Sequence, residues 1–203
     1  MVAINIFVEG GSPGAPAVAC RQGFSEFFRK IIPSGRQPKI IACGSRNEAL
    51  KDFSREVRKT GDAVCILLVD SEGPVDERHG PWQHLAACDN CRKPDGADDD
   101  HAHLMVQCME AWLVTDPETL ASHFGQGFNA GVLPRHANIE EIGKTDLFTA
   151  LAAAVRNVRT NRPYKKVRDG FALLARIDPD RVRQRSRHAA RLFDILVRLA
   201  ADG

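Results

Sequence analysis

The sequence predicts an α/β fold, with a central, mostly parallel sheet flanked by helices and followed by a helical C-terminal part. The apolar run 64–69 ends abruptly at a polar turn, Asp70 to Gly73, as strands buried on both faces of a parallel sheet do. Strand and helix patterns alternate through the first seventy residues, which favours a doubly wound sheet. Beyond residue 139 only helical patterns follow.

The elements expected in the first third are strands at 2–8, 39–42 and 64–69 and helices at 17–32 and 45–59. Ser45 is placed to cap the second helix, and Glu48 stands three residues later, as in a capping box. Glu9 closes the first strand and is followed by Gly10 and Gly11, which we interpret as room for the backbone and not as a nucleotide-binding loop.

The segment 73–101 loses all periodicity and is predicted to be one long irregular loop, functional or mobile. Order resumes with a strand at 103–107 and a helical start at 109–114, and Asp116 is placed as the N-cap of another helix. The helices expected further on are 138–143, 145–158, 166–176, 178–184 and 186–201. We expect one domain, 1–203, with an α/β core at 1–116 and a mainly helical extension at 117–203.

Composition excludes some classes of protein. Hydrophobic content of 43% and charged content of 27% are ordinary for a globular protein, and no apolar run is long enough to span a membrane. The N-terminus has no basic segment or cleavage site typical of a secretion signal. We therefore expect the protein to be cytoplasmic and its six cysteines to be reduced.

Charge is unevenly distributed, although the net value is only +2. The segment from Arg156 to the end contains thirteen Lys and Arg residues and five Asp residues. A basic segment of this kind fits a nucleic-acid partner, and the alternative is a set of solvated helix faces.

Three acidic residues follow two predicted strands: Glu9 after the first, and Asp70 and Glu72 after the third. If these strands are neighbours, all three carboxylates meet at the carboxyl edge of the sheet, where open α/β sheets bind ligands. Carboxylate oxygens suit Mg²⁺ or Mn²⁺, which can activate water towards a phosphodiester. The alternative is that acids are common at strand ends because strands end at the solvent.

These motifs resemble a known fold. The segments VEGG (8–11), LLVDSEGP (67–74), HLMVQCMEAWLVTD (103–116) and YKK (164–166) are similar to those of the TOPRIM-like nuclease superfamily, and within it to a small RloB-like branch often encoded beside an ABC-type ATPase. The resemblance implies a Rossmann-like TOPRIM domain and metal-dependent cleavage of DNA or RNA. It also implies that Glu9 lies near the reacting phosphate, that Asp70 and Glu72 hold the metal, and that the protein acts in phage defence with an ATPase partner. Glu9 would serve as general base or as a further metal ligand. Glu72 departs from the pattern, since many TOPRIM proteins have Asp there.

Two residues are expected to assist catalysis. Glu110 opens a helix directly after a strand and should face the same edge as Asp70, and Lys166 would balance charge developing on the phosphate. Tyr164, Lys165 and Arg168 are expected to contact nucleic acid, the alternative being an ordinary basic surface turn.

Cys88, Cys91, His101 and His103 supply a set of potential zinc ligands, although His-x-His is not zinc-finger spacing and no second C-x₂-C motif is present. Free thiols are the alternative. The rival to a nuclease is a non-catalytic interaction subunit that binds an ATPase or nucleic acid, and a third interpretation is a zinc-stabilised regulatory protein. The sequence leaves DNA versus RNA, the number of metals and homo-oligomer formation open.

Overall fold

The computed structural model describes residues 3–59, 63–159 and 163–202, and in this part of the chain one parallel sheet contains four strands in the order β2-β1-β3-β4. The strands are β1 (Ala3–Val8), β2 (Lys39–Ala42), β3 (Ala63–Asp70) and β4 (Ala102–Met105). The α/β class is confirmed. Val2, which was expected to begin the first strand, lies outside the described residues.

Helices flank the sheet and form most of the C-terminal part. In chain order the described helices are α1 (Ala15–Arg29), α2 (Arg46–Val57), α3 (Pro81–Asp89), α4 (Glu110–Leu113), α5 (Pro117–Phe124), α6 (Lys144–Ala154), α7 (Phe171–Leu174), α8 (Pro179–Arg185) and α9 (Arg187–Asp202). Side-chain caps at Ser45 and Asp116 are as predicted: Ser45 accepts a hydrogen bond from the amide of Glu48, and Asp116 accepts one from the amide of Thr119. No helix in the described ranges has both the length and the apolar composition needed to cross a membrane.

The winding of the chain reverses at β1, which lies between β2 and β3. The α1 side of the sheet buries Phe24 and Phe27 in the same cluster as Ile6, and the opposite side buries Phe53 of α2 and Trp82 of α3. At such a reversal the carboxyl ends of the two central strands flank a crevice, the usual ligand position in open α/β sheets. Here those two strands are β1 and β3.

The prediction that 73–101 is one irregular loop is wrong, because helix α3 and a short 3₁₀ turn at Asp99–His101 lie within it. The helix begins with Pro81 at its first position, and the Gln83 side chain accepts a 2.8 Å hydrogen bond from the Gly80 amide. Only Trp82, His84 and Leu85 of this short helix are buried, so its apolar pattern is too brief to read from the sequence.

Two helices predicted in the C-terminal part differ from those observed. The segment 138–143 contains only a 3₁₀ turn at Ile139–Glu141. The segment 166–176 begins with a π-helical turn at Lys166–Gly170 and continues as α7. The buried carboxylate of Asp169 accepts a 2.8 Å hydrogen bond from the Lys165 amide at the start of this turn, and such a side-chain partner competes with regular helical hydrogen bonding.

Candidate active site

Three acidic side chains meet at the carboxyl edge of the sheet, as the sequence predicts. One carboxylate oxygen from each of Glu9, Asp70 and Glu72 lies within 4.8 Å of the other two, and this is the one such group among the described residues. The backbone amide of Asp70 also donates a 3.3 Å hydrogen bond to Glu9 Oε2. The cluster lies where β1 and β3 end side by side, at the reversal point of the sheet.

Asp70 is the buried member of this cluster, with 2% of its surface exposed. Its Oδ1 accepts a 2.8 Å hydrogen bond from the amide of Met109, and its Oδ2 lies 3.2 Å from Lys166 Nζ. Burial raises the pKa of Asp70; Lys166 opposes this rise and the carboxylate of Glu110 adds to it. Lys166 therefore offsets part of the rise in the pKa of Asp70.

Glu9 lies at the partly open side of the cluster, with a fifth of its side chain exposed (20%). Burial and the neighbouring Asp70 raise the pKa of Glu9, while Arg46, 3.7 Å away, lowers it. A carboxylate with a raised pKa holds a proton more readily than an exposed glutamate does.

The glycine loop after Glu9 packs closely and leaves no room for side chains. Gly11 has φ +70°, and a Cβ atom there would lie 2.7 Å from Cys20 Cβ. Gly10 exchanges two backbone hydrogen bonds with Gly44, of 2.8 and 3.0 Å. The loop therefore fixes the chain immediately after Glu9.

Arg46 is a site residue that sequence reasoning missed. It is the first residue of α2, and its guanidinium lies beside Glu9, donates to the main-chain oxygen of Asp70 and pairs with Asp89 Oδ2 at 2.5 Å. A signal was available, because a helix that follows a parallel strand begins at the carboxyl edge of the sheet. The first residue of α2 therefore faces the same edge as the three acids.

Glu72 reaches the cluster by a different geometry from the one expected. Alternation along an extended chain would place it on the same face as Asp70, but Glu72 has φ 63° and lies in a left-handed turn. Its amide donates a 3.0 Å hydrogen bond to the main-chain oxygen of Gln107, and its Oε2 accepts a 2.6 Å bond from Lys144 Nζ. Lys144 begins α6 and fell between two predicted helices, so it was also missed.

Glu110 and Lys166 also lie at the site, next to Asp70. Glu110 is fully buried, and its Oε1 accepts a 3.1 Å hydrogen bond from the Tyr164 hydroxyl. Its Oε2 lies 3.6 Å from Lys166 Nζ and accepts no hydrogen bond from the described residues. Although burial alone would lower the pKa of Lys166, the carboxylates of Asp70 and Glu110 raise it well above the usual value.

Two of the three residues expected to contact nucleic acid have internal partners. The Tyr164 hydroxyl points to Glu110, and burial together with this carboxylate raises its pKa. The Arg168 guanidinium pairs with Asp169 at 2.6 Å. Lys165 has an exposed side chain, so of the three it is the one open to a polyanion.

A family model described as a domain of unknown function, DUF4276, matches residues 16–197. The chain belongs to the DUF4276 family. No curated protein and no solved structure matches the chain. The DUF4276 match includes Asp70, Glu72, Glu110 and Lys166, whereas Glu9 precedes its first residue.

The cysteines proposed as zinc ligands in this DUF4276 protein have other neighbours. Cys88 is exposed in the last turn of α3, and its Sγ lies 3.6 Å from His84 Nε2. Cys91 Sγ lies 3.7 Å from the main-chain oxygen of the next residue, Arg92. None of the six cysteines forms a disulfide bond in the described residues.

The histidines proposed as zinc ligands are also engaged elsewhere. His101 Nδ1 lies 2.6 Å from Asp98 Oδ1. His103 is buried, with Nε2 3.1 Å from the Asp100 main-chain oxygen, and burial lowers its pKa to about 3. In the described ranges these two histidines, Cys88 and Cys91 do not form a group of three close enough to share a metal.

The site contains more acidic than basic side chains, and a divalent cation would balance this excess of negative charge. The site has four carboxylates, Glu9, Asp70, Glu72 and Glu110, and three basic side chains, Arg46, Lys144 and Lys166. Arg46 also pairs with Asp89. All the donor atoms are oxygens, as Mg²⁺ and Mn²⁺ require. The buried Oε2 of Glu110 accepts no hydrogen bond from the described residues and adds negative charge beside Asp70. These residues fit such an ion.

Proposed function

We propose that this DUF4276 protein is a Mg²⁺- or Mn²⁺-dependent nuclease that hydrolyses phosphodiester bonds in DNA or RNA. The observation that carries the proposal is the group of three carboxylate oxygens within 4.8 Å at the reversal point of the sheet. The buried Oε2 of Glu110 supports it as well, because it accepts no hydrogen bond from the described residues and adds negative charge beside Asp70. The resemblance to TOPRIM-like nucleases supports the choice of a phosphodiester as substrate.

The residues divide into roles by burial and charge. Asp70 and Glu72 would hold the metal, which when bound supplies Lewis-acid polarisation of the phosphate and an acidified water. Glu9 has a raised pKa and one fifth of its side chain open, so it would accept the proton of the attacking water. Lys166 lowers the pKa of Asp70 and would place a positive charge near the reacting phosphate.

The biological setting extends this proposal on the strength of the family resemblance. We place the nuclease in the cytoplasm as an effector of phage defence that acts with an ABC-type ATPase partner. The excess of Lys and Arg from Arg156 onward supports a polyanionic substrate. Lys165, exposed beside the site, lies within this basic segment.

The test is cleavage of plasmid, single-stranded DNA and tRNA with Mn²⁺ or with EDTA. We expect cleavage only with Mn²⁺, reduced by about 100-fold or more in Asp70→Asn because the buried ligand loses its charge. Asp95→Asn, which removes an exposed aspartate outside the site, is the matched control and should cleave normally. Equal cleavage by wild type and Asp70→Asn would refute the assignment.

One observation favours a second candidate function, a non-catalytic subunit that binds an ATPase or nucleic acid. Lys166 and Lys144 already pair with Asp70 and Glu72, so the acidic cluster has counter-ions within the chain. Metal-independent binding of nucleic acid without cleavage, even with the ATPase supplied, would favour this candidate over the nuclease.

A further inference from the structure

The ion pair between Glu72 and Lys144 is fixed by a third residue, Gln107. The main-chain oxygen of Gln107 accepts a 3.0 Å hydrogen bond from the Glu72 amide, and its side-chain Oε1 accepts a 3.2 Å bond from the Lys144 amide. Gln107 is itself buried, and its Nε2 donates to the main-chain oxygen of Glu140 at 3.3 Å. The fold therefore sets the main-chain positions of Glu72 and Lys144. Lys144 Nζ lies 2.6 Å from Glu72 Oε2.

We propose that Lys144 is the counter-ion of Glu72 while no metal is bound, and that on metal binding its ammonium group is released to a phosphate of the substrate. This inference rests on the proposed function, because the metal and the phosphodiester are those of the nuclease. It assigns Lys144 a substrate-binding role that the sequence did not suggest.

The two lysines of the site differ in how readily they can leave their carboxylates. Lys166 lies between Asp70 and Glu110, both of which are almost fully buried, so removing its charge would leave buried carboxylates without a counter-ion. Lys144 meets one carboxylate, and the side chains of the pair are 33% and 47% exposed. Exposed ion pairs of this kind contribute little to stability, so a divalent ion held by Asp70 and Glu72 can displace Lys144.

The released ammonium would remain close to the reaction. The Lys144 amide stays bonded to Gln107 while the flexible four-carbon side chain turns, so its charge keeps to the edge of the acidic cluster. A phosphodiester drawn to that cluster by a metal carries negative charge that an ammonium group binds by a charge-assisted hydrogen bond. Lys144 thus pairs with the Glu72 carboxylate when no metal is bound and with a substrate phosphate when metal is bound.

The first test is calorimetric titration of Mn²⁺ into wild type, Lys144→Met and Lys51→Met. Lys51 is exposed on α2, outside the site, so its variant controls for the loss of one positive charge. We expect Lys144→Met to bind Mn²⁺ about threefold more tightly than Lys51→Met, because a competing exposed ion pair has been removed. Lys144→Arg retains the charge and should bind less tightly than Lys144→Met.

The second test measures, by fluorescence anisotropy, the binding of labelled single-stranded DNA and labelled tRNA with Ca²⁺ in place of Mn²⁺. For whichever nucleic acid wild type binds, Lys144→Met should bind about tenfold more weakly, because one charged hydrogen bond to phosphate is lost. Opposite changes in metal and nucleic-acid affinity are the expected signature. A purely structural lysine would weaken both, and Lys144→Gln repeats the comparison if the methionine variant unfolds.

The outcomes separate this inference from the proposed function. If wild type binds Mn²⁺ and Lys144→Met binds it no more tightly than Lys51→Met, the role of Lys144 is refuted and the nuclease stands. Unchanged nucleic-acid affinity in Lys144→Met refutes the transfer to phosphate in the same way. If wild type binds no Mn²⁺ at all, the metal-dependent function fails and this inference fails with it.

Discussion

The carboxylate of Asp70 accepts a 2.8 Å hydrogen bond from the backbone amide of Met109. This contact joins two segments that are far apart in the sequence, the last residue of β3 and the residue immediately before α4. It places Glu110, the next residue, close enough for its charge to raise the pKa of Asp70. The end of β3 and the segment 109–113 are therefore one structural unit.

Lys166 is expected to stabilise this unit, because its ammonium group is the counter-ion of two buried carboxylates. Lys166→Met should lower the free energy of unfolding by about 2 kcal/mol, less than for a fully buried pair because 40% of the lysine side chain is exposed. Urea unfolding of Lys166→Met beside Lys165→Met measures this, since Lys165 is the exposed neighbour. Equal stability of the two variants would contradict the counter-ion role.

Gly170 is expected to be required by close packing and not by backbone conformation. A Cβ atom there would lie 2.9 Å from the Tyr164 hydroxyl and 3.1 Å from the Met109 methyl, although Gly170 has ordinary helical φ and ψ. Gly170→Ala should therefore lower the free energy of unfolding by about 1–3 kcal/mol, as overpacking does. Displacing Tyr164 would also break its hydrogen bond to Glu110.

Gly73→Ala is the control for this prediction, because a Cβ atom at Gly73 would meet nothing within 4 Å. Chemical denaturation of both variants provides the comparison. A loss of stability in Gly73→Ala as large as that in Gly170→Ala would show that the packing argument is wrong.

Whether a site residue could be predicted from the sequence depends on how the fold positions that residue. Asp70 was predictable because a local pattern marks the end of its strand, and Glu110 because a helix starts directly after a strand. Lys144 was not, since it reaches the acids only when the start of α6 docks at the sheet edge. For Arg46 the start of α2 after β2 indicated the edge, but not the contact with Glu9. Local patterns report on strands and turns, whereas such docking depends on contacts distant in the chain.

The strand order illustrates the same limit. Nothing in the pattern of β1 and β3 states that they pair, and the convergence of Glu9 with Asp70 was conditional on that pairing. The left-handed backbone at Glu72 is a further case, because it depends on a hydrogen bond to Gln107, on the segment after β4. The acids were predictable individually, and their geometry required the fold.

Glu140 is expected to make stability depend on pH outside the candidate site. Burial alone would raise the pKa of Glu140, but hydrogen bonds from His188 and Ser186 outweigh it and lower the pKa below the usual value. A lowered folded-state pKa stabilises the protein above the unfolded-state pKa, and this stabilisation is lost as pH falls through the folded-state pKa. Glu140→Gln should therefore be about 1–3 kcal/mol less stable than wild type near neutral pH.

The difference between Glu140→Gln and wild type should shrink on acidification below the usual glutamate pKa, because wild type then loses the charged hydrogen bonds as well. Thermal unfolding at neutral and acidic pH measures it. Glu141→Gln, at the exposed neighbouring residue, should show a much smaller difference at both. A difference for Glu140→Gln that does not change with pH would refute the linkage.

Glu9 and Glu72 are expected to differ in what their loss does to the proposed nuclease. Glu9→Gln removes the proposed proton acceptor and should lower kcat by about 100-fold or more, with a smaller change in Mn²⁺ affinity. Glu72→Gln removes a metal ligand and should weaken Mn²⁺ binding by about 10- to 100-fold, so that added Mn²⁺ restores part of the rate. Steady-state kinetics over a range of Mn²⁺ concentrations, with calorimetric titration of each variant, separates the two effects. If Mn²⁺ rescues Glu9→Gln as fully as it rescues Glu72→Gln, Glu9 is a ligand and another residue must take the proton.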